Sequence, residues 1–203
     1  MTCLEVGFEM ADRQSVGEYA AFIAEPVQGA GGVVVPPTGY FERAKKKCEE
    51  RGMMMILDEA QTGLGRVGRN FAFEGMEIEP YILTLSKTLG AGVPLAATVT
   101  SREIEENCYE KGFSYYTSHL NDPMPIEVGL SVLDVLSNEK LADQANEMGP
   151  YLMEGLKNLE GETVRELAKS HAYRLWIPGL TSIDTTTAKA LGSFKGRTLK
   201  LGL

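Results

Sequence analysis

Two stretches contain residues whose chemistry depends on what faces them. In "LTLSKTLGAG" (83–92) a lysine stands directly after an apolar run and directly before a glycine-rich turn. In "MMMILDEAQTGLGRVG" (53–68) two carboxylates, Asp58 and Glu59, follow another apolar run. In parallel α/β sheets, ligands bind outside the carboxyl ends of the strands. If the two runs are neighbouring strands, an acid and the amine of Lys87 face one crevice. Such a pair is either a partly buried Asp58–Lys87 salt bridge, a common structural device, or the working part of a site.

A desolvated lysine amine loses its proton more readily and becomes a nucleophile toward aldehydes. The aldehyde cofactor that uses a lysine is pyridoxal phosphate. Its pyridine nitrogen needs a carboxylate to stay protonated, so that the ring can take up electrons. An Asp at one strand end and a Lys at the next meet those two demands. Between them, Gly63-Leu-Gly65-Arg-Val-Gly68 forms a GxGxxG string. To bind a dinucleotide it would have to open a helix whose N-terminus holds a pyrophosphate. It leads instead into "RNFAFEG", which is no amphipathic helix start, and the two acids upstream would repel phosphate. A dinucleotide-binding oxidoreductase fragment is the weaker alternative.

The elements that must position these residues follow from pattern. "AAFIAEP" (20–26), "MMMIL" (53–57), "YILTL" (81–85) and "LAATVT" (95–100) read as strands, the second covered on both faces as in a parallel sheet. Thr38 is placed to cap a helix through Tyr40, Phe41, Ala44 and Cys48 that Gly52 closes. Arg102–Lys111 reads as helix and "FSYYTS" (113–118) as extended. Residues 123–160 read as helical, with a kink or break at Pro150. Strands alternating with helices imply an α/β fold with a largely parallel sheet and flanking helices.

Composition narrows the class. A chain of 203 residues suffices for one α/β domain or two small ones. The net charge of −8 argues against nucleic acid as a partner. No apolar run is long enough to span a bilayer, and the acidic N-terminus lacks a signal pattern. Cys3, Cys48 and Cys108 suit reduced thiols in a cytoplasmic compartment. With only His119 and His171, no zinc spacing exists and no metal is expected. From His171 onward there are five Lys/Arg and one Asp/Glu, against 15 and 27 in the rest. The expected organisation is therefore a domain over 1–160 and a divergent, poorly ordered tail over 161–203.

The motifs "FIAEPVQGAGG", "ILDEAQTGLGRVGR", "LTLSKTLGAGVPLAA" and "YYTSHLNDP", in that order, resemble the class III aminotransferases among the fold-type I pyridoxal-phosphate enzymes. "KCEERGMMMILDEAQTG" and "PYILTLSKTLGAGVPLAATVTS" are most similar to the 2,2-dialkylglycine decarboxylase branch, which couples decarboxylation to transamination. The resemblance covers about Glu18 to Leu159. It implies part of the large, cofactor-binding domain of that fold and transamination between an amino acid and a 2-oxo acid. Lys87 would hold the cofactor and shuttle the proton, and Asp58 would hold the pyridinium proton. Ala60 would lie against the ring, and Gln61 would reach the phenolic oxygen or the substrate carboxylate. Ser118 would bind the cofactor phosphate of the neighbouring subunit in a homodimer, and Glu25 would either pair with a substrate-binding arginine or serve a purely structural role at its strand end. Members of the family are longer. The expectation is a chain truncated at both ends, without the upstream phosphate loop, the ring-stacking aromatic and the small domain, and with an end read from a wrong exon or frame. A non-catalytic remnant that pairs with a full-length relative is the alternative.

Overall fold

Four apolar runs become four strands, and their order in space follows their order in sequence. The computed structural model describes residues 3–157, 174–177 and 198–201. Strands β1 (Ala21–Ala24), β2 (Met54–Asp58), β3 (Ile82–Leu85) and β4 (Ala97–Thr100) form one sheet in that order. β1, β2 and β3 run parallel, and β4 is antiparallel to β3. Helices α1 (Cys3–Gln14), α2 (Tyr40–Glu49), α3 (Arg102–Glu110), α4 (Pro123–Asn138) and α5 (Leu141–Lys157) accompany them. The α/β class, the mainly parallel sheet and the flanking helices agree with the pattern-based expectation.

Periodicity explains the packing. α2 sets Phe41, Ala44 and Cys48 on one buried stripe. It packs against β2, whose Met55 and Leu57 alternate onto one face and are fully buried. α1 contributes Leu4 and Phe8, and the Phe8 ring stacks on Phe22 with 5.7 Å between centroids. Arg51, just past α2, ties α1 down. Its guanidinium donates to Asp12 Oδ1 at 3.0 Å and Oδ2 at 2.7 Å and lies 4.9 Å over the Phe8 ring. Those hydrogen bonds hold the Asp12 carboxyl below its ordinary value.

Four expectations need correction. β2 is covered on one face only. Ile23, Ile56 and Ile82 are level in the ladder and share the other face, where Ile23 is 62% exposed. Thr38 stands one residue too early to cap α2; Gly39 holds that position with φ of +75° and no side-chain bond. Phe113–Ser118 pairs with no strand and lies exposed, since among the described residues it packs no side chain into the core that would hold it on a sheet edge. The helical run breaks at Glu139–Lys140, where Lys140 takes a φ of +52°, and Pro150 sits inside α5 with its ring exposed. Gly52 closes α2 as expected, with φ of +66°.

The chain divides into two compact units, 1–145 and 146–203. In the second, β5 (Arg174–Ile177) pairs in parallel with β6 (Thr198–Leu201). The rest of the expected tail lies outside the described residues. Among the described residues, no helix is long and apolar enough to cross a membrane, and no cluster of His, Cys, Asp or Glu is suited to a metal ion.

The thiols report on the docking of α2. Cys48 is buried, which raises its thiol pKa, whereas Cys3 and Cys108 are exposed. Since the thiolate is the reacting form, a short native maleimide pulse is expected to label Cys3 and Cys108 and to reach Cys48 only after denaturant is added. Peptide mapping checks this, and equal native labelling at all three would contradict the docking.

Candidate functional site

Parallel strands bring whatever follows them to one edge. Glu25 leaves β1, Asp58 ends β2, and Lys87 follows β3 after Ser86. Ala24 is level with Leu57, and Asp58 with Thr84, so the three exits lie side by side.

Asp58 is half-buried. Its Oδ1 accepts the Ala60 N–H at 3.0 Å and the Thr84 hydroxyl at 3.1 Å. Its Oδ2 has no donor among the described residues. No solvent-sealed side-chain oxygen or nitrogen lacks a partner among them, so Oδ2 stays open to an approaching group. Glu59, the adjacent acid, has the opposite fate. Successive side chains in an extended strand point to opposite faces, and Glu59 turns inward with 1% exposure. Its Oε2 accepts the Thr62 hydroxyl at 2.7 Å and the Ala72 N–H at 3.0 Å, and its Oε1 accepts the Phe73 N–H at 2.9 Å. Glu59 therefore presents no carboxylate oxygen to the crevice. It pins the loop 62–73 against the strand end.

That pinning accounts for the GxGxxG string. A Cβ on Gly63 would stand 2.9 Å from the Glu59 carbonyl oxygen, and Gly65 needs a φ of +83°. The string leads to a single 3-10 turn at Ala72–Gly75, not to an α-helix. Its glycines serve chain reversal, and the helix N-terminus that a dinucleotide needs is not there.

Lys87 is exposed and forms no hydrogen bond or ion pair among the described residues. The Asp58–Lys87 salt bridge is not formed. The desolvation expected for the amine is also not supplied, because the Lys87 side chain lies exposed. Lys87 opens a 3-10 turn, Lys87–Gly90, with a left-handed φ of +50°, and Ala91 closes it at +45°. Such a backbone costs about 1–2 kcal/mol for a residue with a side chain. Packing offsets this cost. Leu89 is buried, and α4 approaches so closely that a Cβ on Gly129 would lie 2.7 Å from Leu95 Cδ2. Arg66 reaches from the glycine string to donate to the Thr88 hydroxyl at 2.7 Å, which ties the turn on its other side. A groove of about 720 Å³, lined by Leu64, Ala91, Val128, Val132 and Leu136 among others, runs beside the turn.

Glu25 and Gln61 meet across the "QGAGG" loop. Glu25 Oε2 accepts the Gly29 N–H at 3.1 Å. A Cβ on Gly29 would lie 3.3 Å from Gln61 Cγ and 3.6 Å from Glu25 Oε2. The structure thus brings Glu25, Asp58, Ala60, Gln61 and Lys87 to one sheet edge. Ser118 is not joined to them by any hydrogen bond among the described residues; it lies exposed before α4. Thr84, Arg66 and Thr88 were not singled out from the sequence. The one available signal was Thr84, a lone hydroxyl in an apolar strand. The groups with shifted pKa values, Asp12, Tyr40, Cys48 and Arg51, lie on α1 and α2 or just beyond.

Comparison with known proteins places this arrangement. Residues 2–169 match the family described as Aminotransferase class-III. An uncharacterized aminotransferase of Schizosaccharomyces pombe is 49% identical over 157 residues, which are 77% of this chain and 35% of that protein. A thermostable (S)-enantioselective omega-transaminase from Thermomicrobium roseum superposes with a TM-score of 0.71 at 38% identity, over 76% of this chain and 35% of that one. The ornithine aminotransferase of Toxoplasma gondii, which has partial occupancy of PLP at its active site, gives 0.63 at 38% identity, over 68% and 32%. The chain spans about a third of the length of each.

Glu59 supplies the test of this local architecture. Glu59→Leu leaves a buried amide, a half-buried amide and a buried hydroxyl without an acceptor, a loss on the order of 3 kcal/mol. Thr62→Val removes one bond and is expected to cost about 1 kcal/mol. Urea denaturation midpoints check the ranking, and an unchanged midpoint for Glu59→Leu would contradict it.

Proposed function

The chain belongs to the class III aminotransferases, and from that membership we propose that it carries the lysine and the ring-nitrogen acid of a pyridoxal 5'-phosphate-dependent aminotransferase acting between an amino acid and a 2-oxo acid. One observation carries the reading. Asp58 has one carboxylate oxygen loaded with two donors and the other open, on the strand beside the one that presents an unpartnered lysine amine.

The donor set suits the cofactor. The open oxygen of Asp58 is an acceptor for a protonated ring nitrogen. Lys87 Nζ, free of any carboxylate among the described residues, is available to condense with the aldehyde. When bound, the cofactor supplies an electron sink for the bond broken at the amino-acid α-carbon. Lys87 Nζ, once free, would act as the base that takes the α-proton of the amino acid and as the acid that returns it to the former aldehyde carbon, on the other side of the nitrogen. Ala60 offers a side chain small enough for a ring to lie against. Gln61, held beside Gly29, would offer its amide to the phenolic oxygen or the substrate carboxylate. Glu25 keeps Oε1 free for a substrate-binding arginine. Ser118, on its exposed segment, offers a hydroxyl to the phosphate of a second subunit, which implies a homodimer. Free thiols at all three cysteines favour a reducing, cytoplasmic compartment.

The wording of the strand motifs extends the proposal to decarboxylation coupled to transamination of a 2,2-dialkylglycine. A substrate without an α-hydrogen, such as 2-aminoisobutyrate, separates the two, because only the coupled reaction releases carbon dioxide from it.

The main test is reductive mapping. Mixing the chain with pyridoxal 5'-phosphate and adding borohydride is expected to place the pyridoxyl group on Lys87, with Lys87→Ala abolishing it. Scattered label on surface lysines would sink the proposal and favour a non-catalytic remnant. In the amino-acid half-reaction, Lys87→Ala is expected to lower the rate by about 10²–10⁴-fold.

A further inference from the structure

We propose that Thr84 is a positioning residue for Asp58, setting which carboxylate oxygen faces the ring nitrogen. The inference rests on the reading of Asp58 given above and adds a residue to it.

Asp58 is tied by two donors of different origin. The Ala60 N–H is local, two residues on, and any aspartate opening such a turn can accept it. It leaves the carboxylate free to swing with the turn. The Thr84 hydroxyl comes from the neighbouring strand, from the residue level with Asp58 in the parallel ladder. Level residues of paired strands project from the same face, so the contact follows from register. Thr84 is also three residues before Lys87. Its hydroxyl is the one direct side-chain link, among the described residues, between the acid and the strand that delivers the amine. The β-branched side chain restricts χ1 and holds the hydroxyl where it is. Both donors act on Oδ1, and Oδ2 is left as the acceptor. Without Thr84 the two oxygens become closer to interchangeable, and the acid loses its reference to β3.

This role makes a prediction that simple structural support does not. Thr84 should matter only to a ligand that has a ring N–H. The chain and its variants are titrated with pyridoxal 5'-phosphate and with the analogue carrying C–H in place of the ring nitrogen, and the ratio of the two dissociation constants is read. The unsubstituted chain is expected to prefer the nitrogen-containing ligand. Thr84→Val is expected to lose about five- to tenfold of that preference, as for one hydrogen bond, and Thr84→Ser to retain it. Thr84→Ala removes the same hydroxyl without adding an apolar branch and should match Thr84→Val; far-ultraviolet circular dichroism checks that each variant folds. If Thr84→Val or Thr84→Ala weakens both ligands equally and leaves the ratio unchanged, the positioning role is overturned while the reading of Asp58 stands. If the unsubstituted chain shows no preference, or binds neither ligand, the reading of Asp58 falls and this inference with it.

Discussion

Parallel pairing of β1, β2 and β3 is the constraint on which the site depends. Each strand is short, four or five residues, and contributes little surface alone. The ladder makes Ala24 level with Leu57 and Asp58 level with Thr84. With that register, Glu25, Asp58 and Lys87 all leave at one edge. A slip of one residue in β3 would turn Leu83 and Leu85 away from the core and Thr84 away from Asp58. The burial of Leu57, Leu83 and Leu85 therefore also sets the geometry of the polar edge.

Two consecutive carboxylates then divide the work. Asp58 stays at the edge, half-buried and with one oxygen open. Glu59 goes inside, where three donors compensate its burial and fasten the loop that returns to Ala72. An uncompensated carboxylate there would be very costly. Its full set of partners marks it as part of the scaffold. The glycines after it serve the same scaffold, since Gly63 must pass close to the Glu59 carbonyl. The apparent nucleotide string is thus a consequence of holding the Asp58 turn in place.

The lysine turn is held by packing on one side and by Arg66 on the other, while its amine stays in the open. Leu89 lies under α4, and the missing side chain at Gly129 permits the close approach. The left-handed backbone at Lys87 is maintained by those neighbours. Rigid backbone beneath an accessible amine suits the covalent role proposed for Lys87.

Much was legible in the sequence. Apolar runs of four or five residues, punctuated by glycine and proline, read as strands, and the four such runs form the sheet. The motif wording pointed to Asp58, which is the last residue of β2, and to Glu25, Ala60, Gln61 and Lys87, which follow the strands. Local pattern did less well where a neighbour decides. The aromatic run at 113–118 lacks a strand partner. The turn at Lys140, not the proline at 150, divides the last two helices. Nor could pattern separate the fates of Asp58 and Glu59, or single out Thr84. Element type is encoded over a few adjacent residues by period and backbone preference. The direction of a carboxylate and the identity of its donor depend on register between segments some 26 residues apart, and only the folded sheet sets that register.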